Sequence, residues 1–200
     1  MVYQRSLSLL SPENSLLLVV DVQEHLMPVI VRGDSIVFNV QRLLEAAQVL
    51  DIPIIVSEQY PKGLGATVID VARIIPKSVP IIAKRAFSVC AVEEICREIE
   101  NRNVPKIILC GVEGHICVLQ SALDLLTMGK ETILVTDAAG SRCQYDYETA
   151  LRRLESSGVT LTTTESILFE WCNTSEHPQF KIISRLVQKK LNAPEQGIGS

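Results

Sequence analysis

Three residues of different chemistry stand at or near the ends of short apolar runs in this sequence. Asp21 follows the run SLLLVV, Lys84 follows PIIA, and Cys117 comes seven residues after the end of KIILC. If these runs are parallel strands, their carboxyl ends meet at one edge of a sheet, which is where ligands bind in such folds. A carboxylate, an amine and a thiol are therefore candidates for one cleft, with the thiol as the natural nucleophile.

Each of the three residues also has an ordinary structural interpretation. Cys117 stands where a helix would begin, so the helix macrodipole and a nearby lysine would favour its thiolate and make it the most reactive thiol in the chain. Its alternative role is that of a packed core residue. Asp21 could instead cap a turn through its side chain, and Lys84 could be a solvated loop lysine beside Arg85.

Four more residues near the ends of the runs are candidates for binding a substrate. Gln23 follows Asp21 closely, Tyr60 follows the second apolar run, Phe87 lies behind Lys84, and His115 precedes Cys117. Core packing is the alternative for the two aromatic residues, and a surface or turn role is the alternative for His115.

The elements that would position these side chains alternate along the chain. Apolar and β-branched runs predict strands, and apolar residues spaced by three and four predict helices, the first of them capped by Asp34. This alternation implies a three-layer, doubly wound α/β fold with a mainly parallel sheet and right-handed crossovers. The predicted strands are 15–20, 53–57, 80–83, 106–110, 132–136 and 159–163, and the predicted helices are 34–50, 68–75, 92–103, 116–126, 147–157 and 179–191.

Length and composition limit the classes of protein to which this chain can belong. Its 200 residues, 47% of them hydrophobic, predict one domain spanning 1–200, with 192–200 as a mobile polar tail. The net charge of −4 argues against a nucleic-acid partner, and no apolar run reaches the ~18 residues of a membrane helix. Six cysteines without a CxxC pair predict reduced thiols in a cytoplasmic protein. A faintly transit-like N-terminus leaves a mitochondrial location open.

At the three chemical positions the sequence resembles a known family. LVVDVQ around Asp21, IIAKRAF around Lys84 and CGVEGHICVLQSALDLL around Cys117 are similar to the isochorismatase-like cysteine hydrolases. The stretches SEQYPKGLGATV and HPQFK are similar to the isochorismatase domain-containing protein 2 subgroup, some protozoan members of which are labelled mitochondrial-associated ribonucleases. The resemblance covers nearly the whole chain, but its motifs are poorly specific for substrate.

The resemblance implies a fold and a catalytic set. The family has six mainly parallel strands in the order 3-2-1-4-5-6, and its Asp, Lys and Cys triad matches Asp21, Lys84 and Cys117. In relatives that cleave amides, the Asp takes the thiol proton, the thiolate attacks the carbonyl carbon, and water releases the acid from a thioester. The family also implies a cis peptide bond at Val112–Glu113, whose neighbouring N–H groups form an oxyanion hole with that of Cys117.

One motif departs from the metal-binding members of the family. Nicotinamidases hold a metal through an Asp-x-His pair after the second strand, and the matching positions here read Glu58-Gln59-Tyr60. The missing histidine predicts no metal, and no cofactor is expected.

The sequence therefore predicts a metal-free cysteine hydrolase of a small amide or related carbonyl compound. Two alternatives stay open, a ribonuclease and a non-catalytic oligomeric binding protein of the same fold. Because members of the family commonly form homo-oligomers, the expected partners are a small-molecule substrate and further copies of this chain, with no membrane partner.

Overall fold

The architecture is a parallel β-sheet covered by helices on both faces, seen in a computed structural model that describes residues 3–191. The strand order is β3-β2-β1-β4-β5-β6, and every neighbouring pair is parallel, which confirms the predicted fold class and topology. The predicted tail 192–200 lies outside the described residues. The strands are β1 (Ser15–Val20), β2 (Ile54–Gln59), β3 (Ile81–Lys84), β4 (Lys106–Val112), β5 (Glu131–Gly140) and β6 (Thr160–Thr162), and the helices are α1 (Gly33–Val49), α2 (Pro61–Leu64), α3 (Ile69–Ala72), α4 (Glu93–Arg102), α5 (Leu119–Thr127), α6 (Gln144–Ser156), α7 (Thr164–Cys172) and α8 (Phe180–Gln188).

Strand β1 lies at the centre of the sheet and is buried on both faces. Because side chains alternate along a strand, Leu17 and Val19 pack into one apolar cluster with α1, α7 and α8. Leu16 and Leu18 pack into a second cluster with α4, α5 and α6. Full burial of each leucine stabilises the fold by about 2 kcal/mol, which explains the continuous apolar run of this strand.

Strand β5 extends beyond its predicted end and is coupled to a helix that the sequence pattern did not predict. Its polar residue Asp137, one position beyond the predicted strand 132–136, accepts hydrogen bonds from the Thr164 backbone N–H at 2.8 Å and the Thr164 hydroxyl at 2.9 Å. This carboxylate caps the start of α7 although it lies 27 positions away in the chain, so no local sequence motif predicts the helix.

Helix α1 begins one residue before its predicted cap. The left-handed residue Arg32 precedes the helix, Gly33 opens it, and Asp34 lies in the first turn. The prediction of Asp34 as the N-cap is therefore wrong. Its negative charge in the first turn still interacts favourably with the helix dipole. The short helix predicted at 68–75 is reduced to the single turn α3.

No helix within residues 3–191 is both long enough and apolar enough to cross a membrane.

Candidate active site

The three chemical residues meet at the carboxyl edge of the sheet, where the strand order reverses. Asp21 follows β1 with a positive φ of 53°, Lys84 is the last residue of β3, and Cys117 follows β4. Strand β1 pairs with β2 on one side and β4 on the other, so its end is the switch point at which doubly wound folds bind ligands.

Asp21 and Lys84 form a buried ion pair. The Lys84 Nζ lies 2.7 Å from Asp21 Oδ2, and neither side chain is exposed to solvent. The ammonium also donates to Gln59 Oε1 at 2.7 Å and to the Phe87 carbonyl at 2.9 Å. Ser57 Oγ donates to Asp21 Oδ1 at 2.8 Å. These partners offset much of the cost of burying both charges.

The second carboxylate oxygen of Asp21, Oδ2, faces the Lys84 ammonium at 2.7 Å. Apart from this ion pair, Oδ2 accepts no hydrogen bond from residues 3–191. Burial raises the pKa of the Asp21 carboxyl group, while Lys84 and Ser57 act in the opposite direction. The net effect is a carboxyl group that binds a proton more readily than an exposed aspartate does.

Cys117 is a buried thiol in a five-residue π-helical turn, Gly114–Val118, that precedes α5. Burial raises its pKa to about 12, the Asp21 carboxylate acts in the same direction, and the Lys84 ammonium opposes them. The expectation of a favoured thiolate is therefore corrected: Lys84 does lower the pKa of the thiol, but burial and Asp21 outweigh it. The resting group is a neutral thiol beside a carboxylate.

Hydrogen bonds to the backbone and side chain of Glu113 hold the turn that carries Cys117. The Val112–Glu113 peptide bond is cis. The Glu113 carbonyl accepts from the N–H groups of Ile116 at 3.0 Å and Val118 at 3.2 Å. The buried Glu113 carboxylate accepts from the Arg142 N–H at 3.0 Å, which joins this turn to the segment after β5.

A cavity of about 130 Å³ opens beside the thiol. Apart from Cys117, its walls are mainly apolar, and two polar residues complete them. Phe87 is the one predicted substrate-binding residue that lines this cavity. The other lining residues are Leu26, Leu64, Ile116, Gln59 and Glu113.

The remaining three predicted substrate-binding residues lie elsewhere. Gln23 is fully buried, and its amide bonds to the backbone of Gln59 and Gly65, so it ties two loops together and cannot meet a substrate. The Tyr60 ring is half-exposed beneath the Arg85 guanidinium, 4.0 Å from its centroid.

His115 faces away from the cavity. Its Nδ1 lies 2.9 Å from Ser141 Oγ, and its Nε2 lies 4.0 Å from a carboxylate oxygen of Asp146 in α6. The alternative of a turn role for His115 fits this geometry.

Sequence reasoning missed two residues that hold the ion pair. Ser57 bonds to Asp21, and Gln59 bonds to Lys84. The signal that could have found them is strand register, because Ser57 pairs with Val20 and Gln59 pairs with Lys84 in the sheet.

The one carboxylate in the segment Glu58-Gln59-Tyr60 already accepts hydrogen bonds from the protein. Glu58 Oε1 accepts from the Thr67 N–H at 2.6 Å and the Thr67 hydroxyl at 2.7 Å. Within the described part of the chain, no three His, Cys, Asp or Glu side chains are grouped to hold a metal ion.

Comparison with known proteins identifies the family. The isochorismatase domain model matches residues 15–166. Isochorismatase domain-containing protein 2A of Mus musculus is 37% identical over 96% of this chain and 91% of its own length. Isochorismatase domain-containing protein 1 of Danio rerio is 41% identical over 94% of this chain, which spans 65% of that relative.

Solved structures agree with this relationship. The MAR1 ribonuclease of Caenorhabditis elegans is 37% identical, with a TM-score of 0.87 over 96% of this chain and 98% of its own. The YcaC gene product of Escherichia coli, described as an octameric hydrolase of unknown specificity, shares the fold at 21% identity and a TM-score of 0.81, over 92% and 98% of the two chains. This chain belongs to the isochorismatase domain family.

Proposed function

We propose that this chain is a cysteine hydrolase that cleaves a small amide or related carbonyl compound through a thioester on Cys117. The observation that carries the proposal is the buried Asp21 carboxylate, which pairs with Lys84 Nζ at 2.7 Å and lies close enough to the Cys117 thiol to raise its pKa. A carboxylate of raised pKa is a better base than an ordinary one, so it suits the removal of a thiol proton.

The first half of the reaction acylates the thiol. Asp21 Oδ2 takes the proton from Cys117 Sγ as the sulfur attacks the carbonyl carbon, and a C–S bond forms. The C–N bond then breaks, the proton passes from Asp21 to the leaving nitrogen, and ammonia or an amine departs. The second half hydrolyses the thioester: Asp21 takes a proton from water, and the hydroxide adds to the carbonyl carbon. The C–S bond then breaks as the proton returns from Asp21 to the sulfur, which restores the thiol.

Lys84 acts through charge in this scheme. Its ammonium keeps Asp21 ionised despite burial and lowers the cost of a transient thiolate. The backbone N–H groups around Val112, Glu113 and Cys117 are the proposed oxyanion hole, where each donor typically stabilises the transition state by ~3 kcal/mol.

The proposed reaction needs no metal. The only acid of the Glu58-Gln59-Tyr60 segment already accepts two hydrogen bonds from Thr67, and the segment contains no histidine. Elemental analysis of the purified protein tests this point, and stoichiometric zinc that supports activity would contradict it.

A panel of small amides tests the proposed function directly. Wild type should release ammonia from at least one amide, and Cys117→Ala should lower kcat by at least about 10³-fold. Rapid quenching followed by mass spectrometry of the intact chain should find wild type heavier by the acyl group, with the added mass on the Cys117 peptide. Full activity in Cys117→Ala would overturn the proposal.

A ribonuclease is the second candidate, because a relative of 37% identity carries that name. Against it stand the net charge of −4 and the full burial of the Lys84 side chain, whose ammonium contacts Asp21, Gln59 and Phe87 and is closed to a phosphate. Cleavage of labelled RNA by wild type but not by Cys117→Ala would favour this candidate over the amide hydrolase.

A non-catalytic oligomeric binding protein is the third candidate. Failure to form an acyl adduct with any amide, together with a single oligomeric species in sedimentation experiments, would favour it. The octamer described for the Escherichia coli relative makes a homo-oligomer a reasonable expectation here as well.

A further inference from the structure

The cavity beside Cys117 has walls that suit an apolar group. Four of its residues are hydrophobic and come from four different segments, so the apolar surface surrounds the opening. They are Leu26 after β1, Leu64 at the end of α2, Phe87 after β3, and Ile116 in the turn before α5. Burial of hydrocarbon against such walls is favourable without any specific polar contact.

The two polar lining residues already have partners. Gln59 accepts from Lys84 through Oε1 at 2.7 Å and donates to the Arg85 carbonyl through Nε2 at 2.8 Å. The Glu113 carboxylate accepts from the Arg142 N–H at 3.0 Å. Both polar groups of the Gln59 side-chain amide and one oxygen of the Glu113 carboxylate are therefore already engaged.

Among the described residues, no Arg or Lys side chain lines the cavity. Lys84 is buried against Asp21, Arg85 covers the Tyr60 ring, and the Arg142 guanidinium lies 3.8 Å from Glu113. The one charged residue that lines the cavity, Glu113, is an acid. A carboxylate or phosphate would enter without the Arg or Lys partner that such groups normally require.

The size of the cavity limits the group that it can hold. Its volume is about 130 Å³. A cavity of roughly 150 Å³ lined by Leu, Ile and Phe can hold a benzene molecule. The hydrocarbon part of the acyl group, without its carbonyl, therefore has at most about six carbon atoms if it is fully enclosed.

We propose that this cavity selects small, uncharged aliphatic or aromatic acyl groups and rejects anionic ones. This proposal rests on the proposed hydrolase function and adds its substrate class: primary amides of short unbranched or branched alkyl acids or of benzoic acid. Dicarboxylates and phosphodiesters are excluded by charge as well as by size.

Alkylation of Cys117 tests the charge selectivity without requiring turnover. Iodoacetamide carries an uncharged amide where iodoacetate carries a carboxylate, and the two reagents are otherwise the same. In both reactions the sulfur loses its proton to solvent, a C–S bond forms, and iodide leaves. The exposed Cys143 of the same chain is the internal reference. Peptide mapping should find the iodoacetamide-to-iodoacetate rate ratio at least about tenfold higher at Cys117 than at Cys143, and equal ratios would overturn the proposal.

A cation introduced into the wall should reverse this preference. Leu64 is only partly buried, so a lysine there can keep its stem along the wall with its ammonium at the opening. Leu64→Lys should raise the relative rate of iodoacetate at Cys117 by about tenfold, whereas the matched control Leu64→Met should keep the wild-type ratio. An unchanged ratio in Leu64→Lys would count against recognition at this cavity.

Turnover separates this proposal from the proposed function. Wild type should hydrolyse butyramide or benzamide with a higher kcat/KM than the anionic amide succinamate. If no amide is hydrolysed while the alkylation ratios behave as expected, the hydrolase function fails and the selectivity stands. If amides are hydrolysed and succinamate is preferred, the selectivity fails and the hydrolase function stands.

Discussion

The central group at the residue scale is the Cys117 thiol, whose proton has to move before the sulfur can react. Because burial and Asp21 raise the pKa of this thiol to about 12, its alkylation rate in wild type should climb steadily from pH 7 to beyond pH 10. Asp21→Asn removes the second of these causes, so the pKa of Cys117 should fall and alkylation at pH 8 should accelerate about tenfold for each unit of the fall. Amide hydrolysis should nevertheless drop by about 10² or more, because the base is gone.

Replacement of Lys84 should change the alkylation rate of Cys117 in the opposite direction. Lys84→Met removes the group that lowers the pKa of Cys117, so alkylation should slow.

In wild type at neutral pH, exposed Cys143 should be labelled before Cys117. Faster labelling of Cys117 than of Cys143 would mean that the thiolate is favoured at rest after all.

The buried ion pair makes a separate prediction about stability. Asp21→Asn or Lys84→Met alone leaves an unpaired buried charge, and each should lower the free energy of unfolding by about 3–5 kcal/mol. The double variant should be more stable than either single variant, because neither charge is then left without its partner. Urea denaturation checks this, and additive losses in the double variant would contradict it. Glu93→Gln, at an exposed ion pair with Arg97, is the control and should change stability by less than about 1 kcal/mol.

At the scale of elements, Gly111 in β4 controls how closely the two central strands approach each other. It pairs with Val20 at the end of β1, has a φ of 112°, and a Cβ built on it would lie 2.0 Å from the Val20 carbonyl oxygen. Gly111→Ala should therefore cost more than about 3 kcal/mol and should also reduce activity, since the turn carrying Cys117 follows directly. The measurements are the free energy of unfolding in urea and the rate of amide hydrolysis.

Gly129 is the matched control for this variant. Its φ of 76° is also positive, but a Cβ there would meet no atom of the described residues within 4 Å. Gly129→Ala should cost about 1 kcal/mol from the backbone alone and leave activity unchanged. Equal losses in the two variants would show that backbone conformation, and not the contact with β1, governs the effect at Gly111.

At the scale of the whole molecule, charge argues against association with nucleic acid. The chain carries a net charge of −4, so the attraction to phosphate groups that supplies most non-specific binding is weak. Fluorescence anisotropy with labelled single-stranded RNA at low salt should detect no binding, with a basic RNA-binding protein as the positive control. Binding that weakens as salt is added would reverse this conclusion and revive the ribonuclease candidate.

Much of the fold followed from sequence because its signals are local. The apolar run of β1 and the approximate positions of the other central strands could be read directly, and the family resemblance supplied the order of the strands. Local patterns failed where the deciding contact was distant. Asp137 stays within β5, and α7 begins at Thr164, because these two residues bond to each other across the fold.

Some features of the candidate site could likewise be predicted from sequence, whereas others depended on the tertiary structure. The sequence by itself determined Asp21, Lys84 and Cys117, since residue type and position after a strand are visible in the chain. The tertiary structure decided that Ser57 and Gln59 hold the ion pair and that Gln23 is sealed inside the protein. It also decided the protonation of the thiol, because the pKa of Cys117 depends on burial and on a carboxylate 96 positions away in the chain. Desolvation arises from all the segments packed around a group, so no single stretch of sequence encodes it.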